Sequence, residues 1–247
     1  MGTLARLLCF SSLSVIAAPN DLLTAATKTP APTVHAQQAT LGVPMQIVLL
    51  LTGLTLLPVL LMSVTPFLRI TLVLHFLRQA IGTQSTPSNP VLIGLALFLT
   101  AMIMQPTLQK SYDEGWAPYE QGTMAGGPAM QKGLEPLRGF LVKYVREKDV
   151  QMLLDVSHTP PPAKAADLEF RILMPAYVLS ELKTGFQIGA MLFLPFLIID
   201  LLVASVTLSV GIVQLPPAMV SSPFKILLFV LVDGWNLVAG SLVKSFY

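Results

Sequence analysis

Four long apolar runs dominate the pattern of hydrophobic and polar positions along the chain. The first run carries no charge over 22 residues and would form a helix of about 33 Å, enough to cross a bilayer core of roughly 30 Å. The second, of 14 residues, would reach only about 21 Å as a helix. The four runs occupy residues Val43–Val64, 91–104, 186–215 and 224–243. This pattern predicts an all-α, membrane-associated protein with about four long apolar helices paired in hairpins.

The charged residues are few and are concentrated in one segment. The chain is 53% hydrophobic and 11% charged, whereas soluble domains carry about 25% charged residues. Residues 105–171 hold 8 basic and 9 acidic side chains of the 28 in the chain. Apolar positions between residues 134 and 154 recur at helical spacing, which predicts an amphipathic helix there. The net charge of +2 gives no basic surface that would favour nucleic acid as a partner.

The order of these segments predicts a domain organisation and a topology. Residues 1–17 resemble a cleavable signal peptide, with Arg6 before an apolar stretch. Residues 18–42 are expected to be flexible, residues 43–104 to form a first apolar block and residues 172–247 a second. Residues 65–90, which carry Arg69, Arg78 and no acid, are expected to be an inside loop. Residues 105–171 then become a periplasmic segment.

Acidic residues near the middle of two apolar runs argue against simple lipid-facing helices. Asp200 and Asp233 would each cost about 2.5–3.5 kcal/mol on insertion scales, and such groups are usually paired and face protein or water. Gly185 and Gly189 have the spacing that allows two helix backbones to approach closely. We therefore expect the apolar helices to be buried within an assembly.

The sequence offers little that would support catalysis. It lacks a glycine-rich phosphate loop, a nucleophile elbow and a zinc-ligand spacing, and its three histidines are isolated. We expect no enzyme activity, no cofactor, no catalytic residue and no bound metal.

Nine short motifs together resemble the flagellar biosynthetic protein FliP family. They lie in residues 45–110 and 170–246, and the remaining segments resemble the family only in type. The motifs are FLRI (67–70), FLR (76–78), GTQ (82–84), PVLIGLALFLT (90–100), PAYVLSELK (175–183), GFQIG (185–189), PFLIID (195–200), PFK (223–225) and VDGW (232–235).

This resemblance implies a core subunit of a type III protein export gate in the bacterial inner membrane, at the flagellar basal body. Members of the family form a pentameric helical core with proteins of the FliQ and FliR families. That core is the entry of the channel through which unfolded rod, hook and filament proteins are exported. Helical hairpins stack in the assembly, and much of it lies above the membrane.

The resemblance also implies roles for particular residues. The loop at 211–217 often carries methionines that close the channel, and here the constriction candidates are Ile212, Val213, Gln214, Leu215 and Met219. We expect most of the charged residues in the family motifs to pair between subunits; these residues are Arg69, Arg78, Glu181, Lys183, Asp200, Lys225 and Asp233.

Three other functions remain open at this point. The equivalent gate of a virulence injectisome would use the same mechanism, although the leader and long N-terminal stretch favour the flagellar branch. A small-solute carrier would explain central acids, but we find no inverted repeat. An intramembrane enzyme lacks a nucleophile or metal site.

Overall fold

The computed structural model describes residues 42–83, 85–162, 164, 167–211 and 216–247. The predicted signal peptide, nearly all of the predicted flexible stretch, and residues 212–215 lie outside the described residues. The chain divides into two units, Met1–Leu50 and Leu51–Tyr247.

The first helix, α1 (Val43–Val64), begins and ends at the residues that the apolar run predicts. None of its residues is buried. A helix that is apolar on every side, and buried on none, requires apolar surroundings.

The second helix, α2 (Phe67–Ile81), lies where the sequence suggested a loop, so that expectation is wrong. Its buried face is apolar apart from Arg69, and it ends at Gly82, whose φ of 83° gives the left-handed cap that glycine favours. Polar residues such as Thr71 and His75 lie on its other face, and with 15 residues it is too short to count among the candidate membrane spans. Its amphipathic spacing is what identifies it as a core helix.

The third helix extends well beyond its apolar run. It is α3 (Asn89–Ser111), and it continues through a π-helical turn, Tyr112–Trp116, into the short α4 (Ala117–Glu120). Together these form a stretch long enough to cross a membrane, whereas the second apolar run alone was too short to do so.

The predicted amphipathic segment forms two helices, α5 (Gly126–Tyr144) and α6 (Glu147–Val156). The break falls at Arg146, whose backbone N–H donates to the Ser180 hydroxyl at 2.9 Å. The same hydroxyl donates to Asp149 at 2.7 Å. A side chain from another helix therefore satisfies the backbone where the chain changes direction.

The last three helices are α7 (Phe170–Ser209), α8 (Pro217–Leu231) and α9 (Gly234–Lys244). The expectation of one helix over residues 224–243 is wrong, because α8 and α9 meet at an angle of 64°. Asp233 adopts a left-handed φ of 48° at the bend. The described helices include three candidate membrane spans by length and composition, or four if α8 and α9 count as one.

The core is formed where α2 packs against α7, with α3, α5 and α6 completing it. All secondary structure in the described ranges is helical, in agreement with the predicted fold class. The largest side chains with almost no exposure in this core are Tyr177, Ile70, Leu74, Leu77, Leu92, Met104, Leu141 and Leu173.

A close backbone contact fixes the π-helical turn on α5. A Cβ atom added to Gly115 would lie 2.6 Å from the Cα of Gly133 and 2.7 Å from the carbonyl oxygen of Ala129. Both neighbours are backbone atoms, so they cannot move aside as a side chain would. The turn and α5 can pack at this distance only because residue 115 is glycine.

We expect Gly115→Ala to lower the thermal stability of the detergent-solubilised protein. The forced backbone shift should cost about 1–3 kcal/mol, as other overpacking changes do. Gly139→Ala in α5 is the matched control, because an added Cβ there meets nothing within 4 Å. The control should be neutral or stabilising by about 0.5–1 kcal/mol. Equal melting temperatures for the two variants would contradict the close contact.

Candidate functional site

A buried ion pair joins α2 to α7. The Arg69 guanidinium donates through Nε to Glu181 Oε2 at 2.8 Å and through Nη2 to Oε1. Arg69 is 4% exposed and Glu181 is fully buried. Two parallel hydrogen bonds between a guanidinium and a carboxylate make a strong and directional pair. The pair therefore fixes the rotation of α2 relative to α7.

Arg69 also holds the residues that follow α9. Its Nη1 donates to the Ser245 hydroxyl at 3.2 Å, and its guanidinium lies 4.0 Å from the centre of the Phe246 ring. The Tyr144 hydroxyl donates to the carbonyl oxygen of Phe246, and Phe246 is 3% exposed. One arginine thus connects three parts of the chain that are far apart in sequence.

A second ion pair lies between α7 and α8. Lys225 Nζ donates to Asp200 Oδ2 at 2.6 Å, and the Ser221 hydroxyl donates to Oδ1 of the same carboxylate. Ser221 and Lys225 are four residues apart, so they share one face of α8. The Lys225 side chain is 5% exposed and that of Asp200 is 33% exposed. The central acid of the third apolar run is therefore paired.

The other three charged candidates make weaker contacts or none with an opposite charge. Arg78 donates to the Asn89 side chain, which links the end of α2 to the start of α3. Asp233 accepts a bond from Asn236 at 3.2 Å. Lys183 is exposed and makes no ion pair among the described residues.

The partners of four candidates differ from those we expected. Arg69, Glu181, Asp200 and Lys225 find their partners within the chain, whereas the sequence led us to expect partners on another subunit. The cause is helix packing, since α2 and α8 both lie beside α7 and bring their cations to its carboxylates. Pairing between subunits stays a prediction for Arg78, Lys183 and Asp233.

The two glycines of α7 lie against α2. A Cβ added to Gly185 would lie 2.8 Å from the Leu72 side chain, and one added to Gly189 would overlap the Phe76 ring. Both glycines are buried. Because the two glycines are four residues apart, they lie on one face of α7 and let α2 pack closely against its backbone, next to the ion pair.

The channel candidates fall mostly outside the described residues. Ile212, Val213, Gln214 and Leu215 are not described, and Met219, in the first turn of α8, is 71% exposed. The described part of the chain contains no group of three His, Cys, Asp or Glu residues that could hold a metal.

Sequence reasoning missed the residues that complete the two charged sites. Ser221 had a usable signal, because it precedes Lys225 by one helical turn. Ser245, Phe246 and Tyr144 had none, since their contact with Arg69 and with each other depends on how distant helices pack.

We expect Glu181→Ala to destabilise the protein strongly, because the Arg69 charge would stay buried without its partner. Breaking a buried pair in this way costs about 3–5 kcal/mol. Glu169→Ala is the control, since Glu169 and Arg171 form a pair whose side chains are 62% and 76% exposed. That change should cost less than about 1 kcal/mol. Chemical or thermal unfolding in detergent measures both, and similar losses would contradict the role of burial.

Comparison with known proteins agrees with the motifs on these helices. The FliP family profile matches residues 50–242. The flagellar biosynthetic protein FliP of Pectobacterium carotovorum subsp. carotovorum is 48% identical over 202 residues, which cover 82% of this chain and 78% of that protein.

Two further relatives carry the same name. The protein of Caulobacter vibrioides is 49% identical over 201 residues, covering 81% of this chain and 76% of its own length. The Bacillus subtilis protein is 47% identical over 201 residues, covering 81% of this chain and 91% of its own length. The profile match covers both ion pairs and most of the helical part of the chain, and the chain belongs to the FliP family.

Proposed function

We propose that this chain is a core subunit of the flagellar type III protein export gate, where it contributes to the entry of the export channel. The relatives described above are named as flagellar biosynthetic proteins, which supports the flagellar system over an injectisome. The proposal assigns no catalytic reaction to the chain. Its location is the bacterial inner membrane at the flagellar basal body, with residues 105–171 on the periplasmic side.

The observation that carries the proposal is an apolar surface far larger than one soluble subunit can expose. None of α1 is buried, and only 11% of the most apolar 18-residue stretch of α7 is buried. Large apolar side chains such as Met191, Leu201 and Val206 are each more than 60% exposed. Soluble monomers rarely expose contiguous apolar patches above a few hundred Å². This surface needs lipid or protein against it.

The Asp200–Lys225 pair favours protein as the neighbour of the α7–α8 hairpin. The Asp200 side chain is one-third exposed among Leu197 and Leu201, which are both more than half exposed. A partly uncovered ion pair is costly in hydrocarbon, where charges usually face protein or water. An assembly of several copies would cover it.

The partners follow from the same surface and from the family resemblance. Further copies of this chain, in a ring, would cover one side of each hairpin, and proteins of the FliQ and FliR families would cover others. Unfolded flagellar proteins would pass through the centre. Residues 211–219 would narrow the channel, with Ile212 and Val213 giving a stiffer apolar constriction than methionine would.

Native mass spectrometry in mild detergent tests the assembly. The chain is measured alone and after co-expression with its FliQ-family and FliR-family neighbours. We expect a ring of several copies that captures both partners. A chain that stays monomeric and binds neither partner would contradict the proposal and would favour a small-solute carrier.

We expect Asp200→Asn to reduce flagellar protein export, because it leaves the Lys225 ammonium buried without its counter-charge. Leaving a buried charged group unsatisfied costs more than the roughly 1–3 kcal/mol of a neutral group. Asp155→Asn is the control, since Asp155 is an exposed acid of α6 that is not among the charged candidates. Motility and secreted flagellin in a strain lacking the native protein measure the effect. Wild-type export by the Asp200 variant would contradict it.

A further inference from the structure

A cleft with a basic rim lies between α3, α5 and the residues after α9. We call it the basic cleft. Its volume is about 350 Å³, and its floor includes Ile103, Phe140 and Phe246, each at most 9% exposed. Lys110 and Lys143 lie on its edge and are exposed.

The two lysines of the basic cleft lack counter-charges. Neither makes an ion pair with any described residue, although Lys143 Nζ lies 5.1 Å from the ring centre of Tyr144. The described side chains that line the cleft include no carboxylate. Its volume is at the lower end of the range for ligand pockets, about 300–1,000 Å³. The cleft is therefore suited to a group that combines apolar bulk with negative charge.

A surface of the opposite kind lies just beyond α3. We call it the acidic aromatic patch, and it consists of Tyr112, Asp113, Glu114, Trp116, Tyr119 and Glu120. Its three aromatic residues are 50%, 57% and 48% exposed, and none of its carboxylates forms an ion pair in the described part of the chain. Exposed Trp and Tyr side chains that cluster in this way are typical of interface anchors.

The acidic aromatic patch is ordered before any partner binds. Glu120 accepts hydrogen bonds from the indole of Trp116 at 2.7 Å and from the hydroxyl of Tyr112 at 3.2 Å. The π-helical turn that carries it is held on α5 through Gly115. Such turns occur frequently at functional sites. An ordered patch loses little side-chain entropy when it docks.

We propose that the acidic aromatic patch of one copy of this chain docks into the basic cleft of the next copy. This inference rests on the proposed ring, because it supplies one contact between neighbouring subunits. The patch offers aromatic bulk and three carboxylates, and the cleft offers an apolar floor and two ammonium groups. Contact between two different surfaces of identical subunits closes into a ring when the rotation from copy to copy completes a full turn.

Two alternatives are less consistent with the structure. Docking within one chain is prevented because Lys110 and Tyr112 are two residues apart on one continuous helix and point about 200° apart. A membrane surface is disfavoured because residues 112–120 carry three acids and no base, and bacterial lipid surfaces that carry negative charge would repel them.

Cysteine cross-linking tests the contact in the full chain within the co-expressed complex. The background is Cys9→Ser, which removes the chain's single cysteine. Gln121→Cys, next to the patch, and Gly139→Cys, in the lining of the cleft, are then combined in one chain and treated with a short bis-maleimide. We expect a ladder of covalent dimers, trimers and larger species. Asp155→Cys with Gly139→Cys is the control, since Asp155 is an exposed acid of α6 outside the patch, and it should stay monomeric.

Charge reversal provides the second readout. Lys110→Glu with Lys143→Glu should lower the ring population roughly tenfold or more, because like charges would then face each other across the interface. Adding Asp113→Lys, Glu114→Lys and Glu120→Lys to the same chain should restore it. A general loss of folding would not be rescued by further charge changes at a different surface.

Native mass spectrometry of each variant separates the possible outcomes. The inference is supported if the ring forms, if its cysteines give the cross-linked ladder, and if the compensating charge changes restore its population. A ring whose patch and cleft cysteines stay uncross-linked, or whose population the reversals leave unchanged, overturns the inference while the proposed function stands. Absence of a ring in the wild-type chain overturns both.

Discussion

The buried pairing of Arg69 with Glu181 constrains the rest of this structure, because neither charge can stay away from water without the other. Its two parallel hydrogen bonds set α2 against α7. Gly185 and Gly189 let the same two helices approach closely enough for the pair to form without a gap. Arg69 then reaches Ser245 and Phe246, so the residues after α9 depend on it as well. The outer surfaces of these helices are mostly apolar, and buried polar contacts therefore set how the helices pack.

Long apolar helices were predictable from the sequence because runs of almost uncharged residues mark their positions, although α3 and α7 extend beyond their runs. The bounds of α1 coincide with those of its run. The most buried helix, α2, was mistaken for a loop because two arginines and several polar residues interrupt its apolar sequence, most of them on the face away from the core. The charged residues themselves were found through family motifs. Their partners were not predictable, since Arg69 and Glu181 are 112 positions apart and only the packing of α2 on α7 joins them.

The outer surface of the subunit is largely apolar. Many apolar residues on α1, α7 and α8 are exposed, and the Asp200–Lys225 pair lies partly uncovered among those of α7 and α8. A chain built in this way gains its remaining stability from neighbours. The charged segment between the apolar blocks adds complementary features, with unpaired lysines at one surface and unpaired carboxylates at another. Identical subunits can use such features to choose the orientation of the next copy.

The Arg69–Glu181 pair couples α2 to α7, and a double-mutant cycle measures the strength of that coupling. Unfolding free energies in detergent are compared for the wild type, Arg69→Met, Glu181→Leu and the combination. We expect a coupling free energy toward the upper end of the range for contacting residues, about 0.5–3 kcal/mol. The double variant should then be more stable than either single one, because it leaves no buried charge unpaired. Simple additivity of the two single effects would contradict the account.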